Sequence, residues 1–163
     1  MKSESINELL KLLQNSENKY FETADVIKIL HLKRFLNRQS SLRNHYLYSL
    51  IELLSAEEIE YTHNYVDKNL LYTNGDVITK ELEDFDFRKR VKLCIEKDNT
   101  CMDICDQIFS ENNLPIAILE KIITIKTNLL LNIIELNTTL ATLKTEVDNQ
   151  KDSFGKILNL HIA

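Results

Sequence analysis

The sequence predicts an all-α protein: a helical bundle of about five or six helices, with a long C-terminal helix forming a coiled-coil arm. Three observations lead there. Two glycines and one proline occur in 163 residues, whereas sheet-rich folds need glycine in their tight turns. Apolar residues recur at i, i+3, i+4 and i+7 in one segment after another. From Leu114 to about Leu160, a heptad repeat runs through the chain.

Taking Leu119 as an a position, the a series is Leu119, Lys126, Ile133, Leu140, Val147 and Phe154. The d series is Ile122, Leu129, Leu136, Leu143, Gln150 and Ile157. Ten of these twelve positions are apolar across six heptads, more than the three or four that define a coiled-coil pattern. So long a seam must lie against other helices. The chain therefore divides into a bundle, residues 1–113, and a long helix, residues 114–160. The first half of that helix is expected in the bundle core and the second half as a projecting arm.

The other elements follow in order. Ile6, Leu9, Leu10 and Leu13 predict a short helix over 4–15, broken by Asn15 to Asn18. A second helix is expected after Thr23, a capping residue, with Val26, Ile29, Leu30, Phe35 and Leu36 inward. Gln39, Ser40 and Ser41 either end it or form a solvated turn within a longer helix. Leu42, Tyr46, Leu50, Leu53 and Leu54 make the next stripe.

Ser55-Ala-Glu-Glu58 has the form of a capping box, which opens a helix. Ile59, Val66 and Leu70 would continue inward from it, and Asn74-Gly75 marks a turn. Residues 77–97 fit a strand or a helix, and their Lys/Glu content favours helix. Thr100-x-x-Asp103 resembles another cap, opening a helix to about Ser110. Pro115 falls where proline suits the first turn of the last helix. From Ile116 to Leu136 that helix is apolar on nearly every side, which predicts neighbours all round. From Asn137 onward only the seam is apolar, and Gly155 suggests a bend or fray near the end.

Composition bounds the function. A 44% hydrophobic content supplies a core, and a net charge of −5 gives no global attraction to nucleic acid or anionic membrane. Lys121, Lys126 and Asn128 interrupt the richest apolar stretch, so no membrane span is expected. The N-terminus reads as an amphipathic helix, not a signal peptide. Three cysteines without framework spacing suit a reducing, intracellular compartment, cytoplasm or nucleus. No glycine cluster supports a nucleotide site.

Five candidate groups remain. Lys28, Lys33, Arg34, Arg38 and Arg43 lie with His31 and His45 between Asp25 and Glu52, a stretch without an acid. Lys33, Arg34, Arg38 and Arg43 could form a patch for phosphate or an acidic partner, or a solvated face paired with the acidic runs 57–60 and 81–86. Cys101 and Cys105, with Cys94 upstream, supply at most half a zinc site. They read better as buried free thiols. Two acidic groups, Asp103, Asp106 and Glu111 and Glu83, Asp84 and Asp86, lack an EF-hand pattern and read as solvated faces. Tyr46, Tyr48, Tyr61, Tyr65 and Tyr72 could border the core or a half-buried interface. Lys126 and Gln150 interrupt the seam, where polar residues select register and partner. Lys126 needs an acid opposite it or a route to solvent.

No catalytic signature, cofactor motif or metal set emerges. The sequence therefore points to a non-enzymatic interaction subunit of an intracellular complex. Its expected interface is Leu136, Leu140, Leu143, Val147, Gln150, Phe154 and Ile157, facing an equivalent helix in a homo-oligomer or a heteromeric complex. The alternative is a self-contained helical adaptor holding a partner helix in a groove, and a small helical enzyme is a weaker third.

Overall fold

A computed structural model describes residues 3–63 and 87–162, and the side chains of the final helix as far as Leu143. The described residues are all-helical. Four helices are present: α1 (Glu4–Val26), α2 (Leu30–Ala56), α3 (Phe87–Glu111) and α4 (Ile116–Ile162). Expectations resting on 64–86, including the Val66/Leu70 stripe and the Asn74-Gly75 turn, lie outside the described residues.

Two apolar clusters show how the helices run. One joins the start of α1 (Ile6, Leu9, Leu10, Leu13), the end of α2 (Leu47, Leu50, Leu54), the end of α3 (Cys101, Cys105, Ile108) and the start of α4 (Ile118, Ile122, Ile125, Leu129). The other joins Tyr20 and Ala24 of α1, Leu32 and Leu36 of α2, Val91 and Cys94 of α3, and Leu136 and Leu143 of α4. Thus α1 and α4 run one way and α2 and α3 the other. The chief helix pairs are α1 with α2, α1 with α3, α3 with α4, and α2 with α4. Every principal neighbour is antiparallel, although α2 and α3, consecutive among the described helices, are parallel.

The helix ends explain several departures from expectation. The Ser3 side chain caps α1, accepting from the Ile6 amide at 3.4 Å. No break occurs at 15–18, because α1 is continuous to Val26, and Thr23 sits inside it with its hydroxyl donating to the Lys19 carbonyl. Nor does α2 break or expose a turn at 39–41: Gln39 and Ser40 are buried. Leu30, expected inward, is exposed, and Leu32 is buried.

The expected capping box at Ser55 is a helix end instead. Glu58 has φ 55°, its amide bonds to the Ser55 carbonyl at 3.2 Å, and the Ile59 amide reaches the Leu54 carbonyl at 2.9 Å. Those two bonds are a Schellman motif, with Ile59 and Leu54 in one apolar cluster. Thr100 likewise opens no helix. It lies within α3, its hydroxyl donating to the Glu96 carbonyl, so residues 87–111 are one helix. Asn112, at φ 46°, ends α3 with its amide on the Ile108 carbonyl, the left-handed cap asparagine tolerates. Pro115 then accepts the first bonds of α4 from Ile118 and Leu119.

The 47 residues of α4 span about 70 Å at about 1.5 Å per residue. The helix is not surrounded as its composition predicted. One face, including Ile118, Ile122, Ile125, Leu129, Ile133 and Leu136, is buried, while Ile116, Ile123, Leu130, Leu131 and Ile134 are exposed.

Candidate functional site

The polar centre of the bundle comes first, because it removes one residue from the expected basic patch. Arg43 is fully buried, as is Asp98 of α3. The Arg43 Nε donates to Asp98 Oδ1 at 3.0 Å and to Ser16 Oγ at 2.9 Å, and a terminal nitrogen donates to Asp98 Oδ2. Its other terminal nitrogen donates to the Gln39 carbonyl and side-chain oxygen at 2.8 and 2.9 Å. Tyr20 and Ser16 donate their hydroxyls to Asp98 at 2.6 and 2.7 Å. The guanidinium stacks 3.7 Å from the Tyr20 ring.

Each carboxylate oxygen thus accepts two bonds, and the ions neutralise each other where water is excluded. Burial is the largest influence and lowers the Arg43 pKa, but the Asp98 charge, its hydrogen bond and the neighbouring Tyr20 and Cys101 together hold the pKa above its usual value. Burial also raises the Tyr20 hydroxyl, so it stays a donor. This is a structural network. The expected breaks at 15–18 and 39–41 are where α1 and α2 turn polar side chains into it. Ser40 donates to the Glu17 carbonyl and Asn44 to the Glu17 carboxylate.

The three cysteines are free and buried. Burial pushes the Cys94 thiol up to about 11 and Cys105 up to about 12, and raises Cys101. These thiols are core side chains, protonated at neutral pH. Tyr46 is buried in the first cluster, whereas Tyr48 and Tyr61 are exposed at its margin; Tyr65, Tyr72 and the acidic run 83–86 lie outside the described residues. Asp103 and Asp106 are exposed. Asp106 is the acid that Lys126 needed: the two form an ion pair at the α3–α4 boundary, with the lysine 34% exposed.

The expected interface also changes. Leu136 and Leu143 belong to the chain's own second cluster, and Leu140 packs partly against it. Leu136 and Leu143, both d positions, face the chain's own core, and Leu140, an a position, is half-buried beside them. Leu136 and Leu143 are therefore removed from the expected partner surface. Val147, Gln150, Phe154 and Ile157 lie further along the same helix, where its side chains are outside the described part.

The opposite face of α4 is exposed among the described residues. Thirteen residues between Ile116 and Leu143 are exposed, five of them isoleucine or leucine and only two charged, Glu120 and Glu135. Charge depletion with apolar enrichment marks the centre of protein interfaces more than ordinary surface. Beside this ridge, α2 places Arg34 and Arg38 one turn apart and exposed, with Lys33 half-buried. Arg38 approaches Glu135 at 3.8 Å and lies over the Phe35 ring. The basic residues of α2 therefore divide: Arg43 turns inward, Arg34 and Arg38 line a depression shared with Glu135 and Thr139 of α4, and Lys33 is half-buried on another flank of α2. The sequence showed these side chains as apolar surface outside the seam, and the expectation of neighbours all round placed them in the bundle core.

No known protein family, curated protein or solved structure matches the chain. No described helix is long and apolar enough to cross a membrane. Among the described residues no group of three or more His, Cys, Asp or Glu could hold a metal ion.

Proposed function

We propose that this chain is a non-enzymatic protein–protein interaction subunit of an intracellular multiprotein complex, assembled through its C-terminal helix. The observation that carries this reading is the outer face of α4, with five exposed large apolar side chains and two charges over more than seven turns. Apolar surface on that scale, arranged along one helix, is a helix-packing surface. The heptad positions Val147, Gln150, Phe154 and Ile157 extend the possible contact about 21 Å beyond Leu143, at about 1.5 Å per residue. The burial of Leu136 and Leu143 against the chain's own bundle favours the second reading, a self-contained adaptor that receives a partner helix.

The test is site-directed photo-crosslinking in the native cell. A benzophenone side chain at Leu130 should give a discrete protein adduct, and one at the exposed Lys11 should not. If positions 130 and 154 both give none, the interaction reading is wrong. A dimer of the chain alone would favour the subunit reading, and a stable monomer that still crosslinks at Leu130 would favour the adaptor.

A further inference from the structure

The ridge on α4 and the basic shoulder on α2 are one surface. Because the two helices run antiparallel, Arg38 comes beside Glu135, and Arg34 continues the shoulder one turn along α2. Together with His31 and Phe35 they line a shallow depression reaching Thr139 of α4. On the other side of the same contact, Leu131 lies one turn before Glu135 and is 57% exposed, with Leu130 and Ile134 also exposed beside it. The shoulder has one sign. No acidic residue occurs in α2 before Glu52, and among the described residues the acid paired with the shoulder, Glu135, is itself 55% exposed in a loose pair with Arg38. So open a pair contributes little and is readily exchanged for another carboxylate.

From this juxtaposition we propose that the α2–α4 face binds an acidic amphipathic helix of a partner protein. Its apolar ridge lies along Leu131 and Ile134, the exposed apolar pair nearest Glu135, and its carboxylates reach Arg34 and Arg38 in place of Glu135. The inference rests on the interaction reading above and adds the chemistry of the partner. The opposite flank of α4 does not offer the same match, because there Lys126 is already paired with Asp106. A second copy is a poorer occupant, since it would bring the same basic shoulder to the contact and supply few acids. Nucleic acid is disfavoured by the net charge of −5 and by the apolar ridge.

Two synthetic helical peptides of about 20 residues test this, the length of a typical groove-bound helix. They share one apolar face, and differ only in carrying Glu or Lys beside it. Binding to the full chain is read by fluorescence anisotropy at low and moderate salt. The Glu peptide should bind at least about tenfold more tightly than its Lys twin, with the advantage shrinking as salt rises. The Arg34→Glu/Arg38→Glu variant should lose or reverse that preference, and Leu131→Asp/Ile134→Asp should abolish binding of both peptides. All four positions are exposed, so circular dichroism should show unchanged helicity.

Equal binding of the two peptides, or binding of neither, overturns the proposal. So does a dimer that the Glu peptide cannot dissociate, which would assign the face to a second copy. Capture by phosphatidylserine vesicles without Glu-peptide binding would assign it to a lipid surface. A crosslinked protein adduct at Leu130 together with any of these results would leave the interaction reading standing and reject only the acidic helix.

Discussion

Asp98 and Arg43 illustrate how much a single side chain can decide inside this bundle. Removing the carboxylate alone strands a guanidinium among apolar side chains, so Asp98→Ala should cost about 3–5 kcal/mol. Replacing both ions by apolar residues of similar volume (Arg43→Met with Asp98→Leu) should recover most of that loss. Urea melts of the two singles and the double measure the coupling. A double variant no more stable than Asp98→Ala would show that the hydroxyl and amide partners, rather than the charge pair, carry the energy. The thiols make a second prediction. Cys94 and Cys105 have ordinary values of 9.0 and folded values of about 11 and 12. A raised thiol pKa means that the folded state prefers the protonated form. Its contribution is complete below pH 9 and is lost as pH rises toward 11 and 12. Stability should therefore fall through that window, with Tyr20 acting in the same direction. The Cys94→Ala/Cys105→Ala variant, though weaker at pH 7, should show a shallower alkaline decline in its urea midpoint.

At the scale of the helices, the Schellman end of α2 permits a test between two local structures for the same residues. Glu58 occupies the left-handed region, which costs a side-chain-bearing residue about 1–2 kcal/mol. Glu58→Gly should therefore raise stability, by about 0.5–1 kcal/mol after the entropy of the unfolded glycine is counted. In a capping box the same change would be destabilising, and Ser55→Ala would cost about 1 kcal/mol; here Ser55→Ala should stay within about 0.5 kcal/mol. The two faces of α4 should separate as sharply: Leu129→Ala should cost about 2–5 kcal/mol, and Ile123→Ala under about 0.5 kcal/mol, both read from thermal melts. These helices also show what the sequence could reveal. The span of α4, Pro115 at its head and the helical class were legible, because apolar periodicity and proline placement are local. The continuity of α1, α2 and α3 was not. Asn15 to Asn18 and Gln39 to Ser41 have the composition of turns, yet Ser16 and Gln39 serve a carboxylate and a guanidinium that only the assembled bundle brings near. Glu58 was misread for a similar reason, since a left-handed cap usually announces itself with glycine. Of the candidate surface, the basic character of Arg34 and Arg38 is legible in the sequence, but their place beside α4 needs the knowledge of which face of that helix the bundle covers.

Across the whole molecule, the buried polar contacts are distributed unevenly. Ser16 and Tyr20 of α1, Gln39 and Arg43 of α2, and Asp98 of α3 share one network at the centre. The described polar links of α4 lie nearer the surface: Lys126 with Asp106, Arg38 with Glu135, and Asn128 with Tyr46. A one-turn slip of α3, about 5.4 Å, would pull Asp98 out of the guanidinium fork and leave two ions unmatched. The apolar contacts of α4 tolerate displacement better, because one leucine can follow another into the same groove. Native-state hydrogen exchange should therefore find the amides around Ser16, Gln39 and Asp98 opening only with global unfolding. Those of α4 should open at lower free energy. Equal protection across all four helices would contradict this ordering. The first three helices then act as a chassis, with the fourth as a hinged spar. A protein that grips α4 could tilt it against its frame without melting the frame, so the gripping force would reach the far end of the spar as motion.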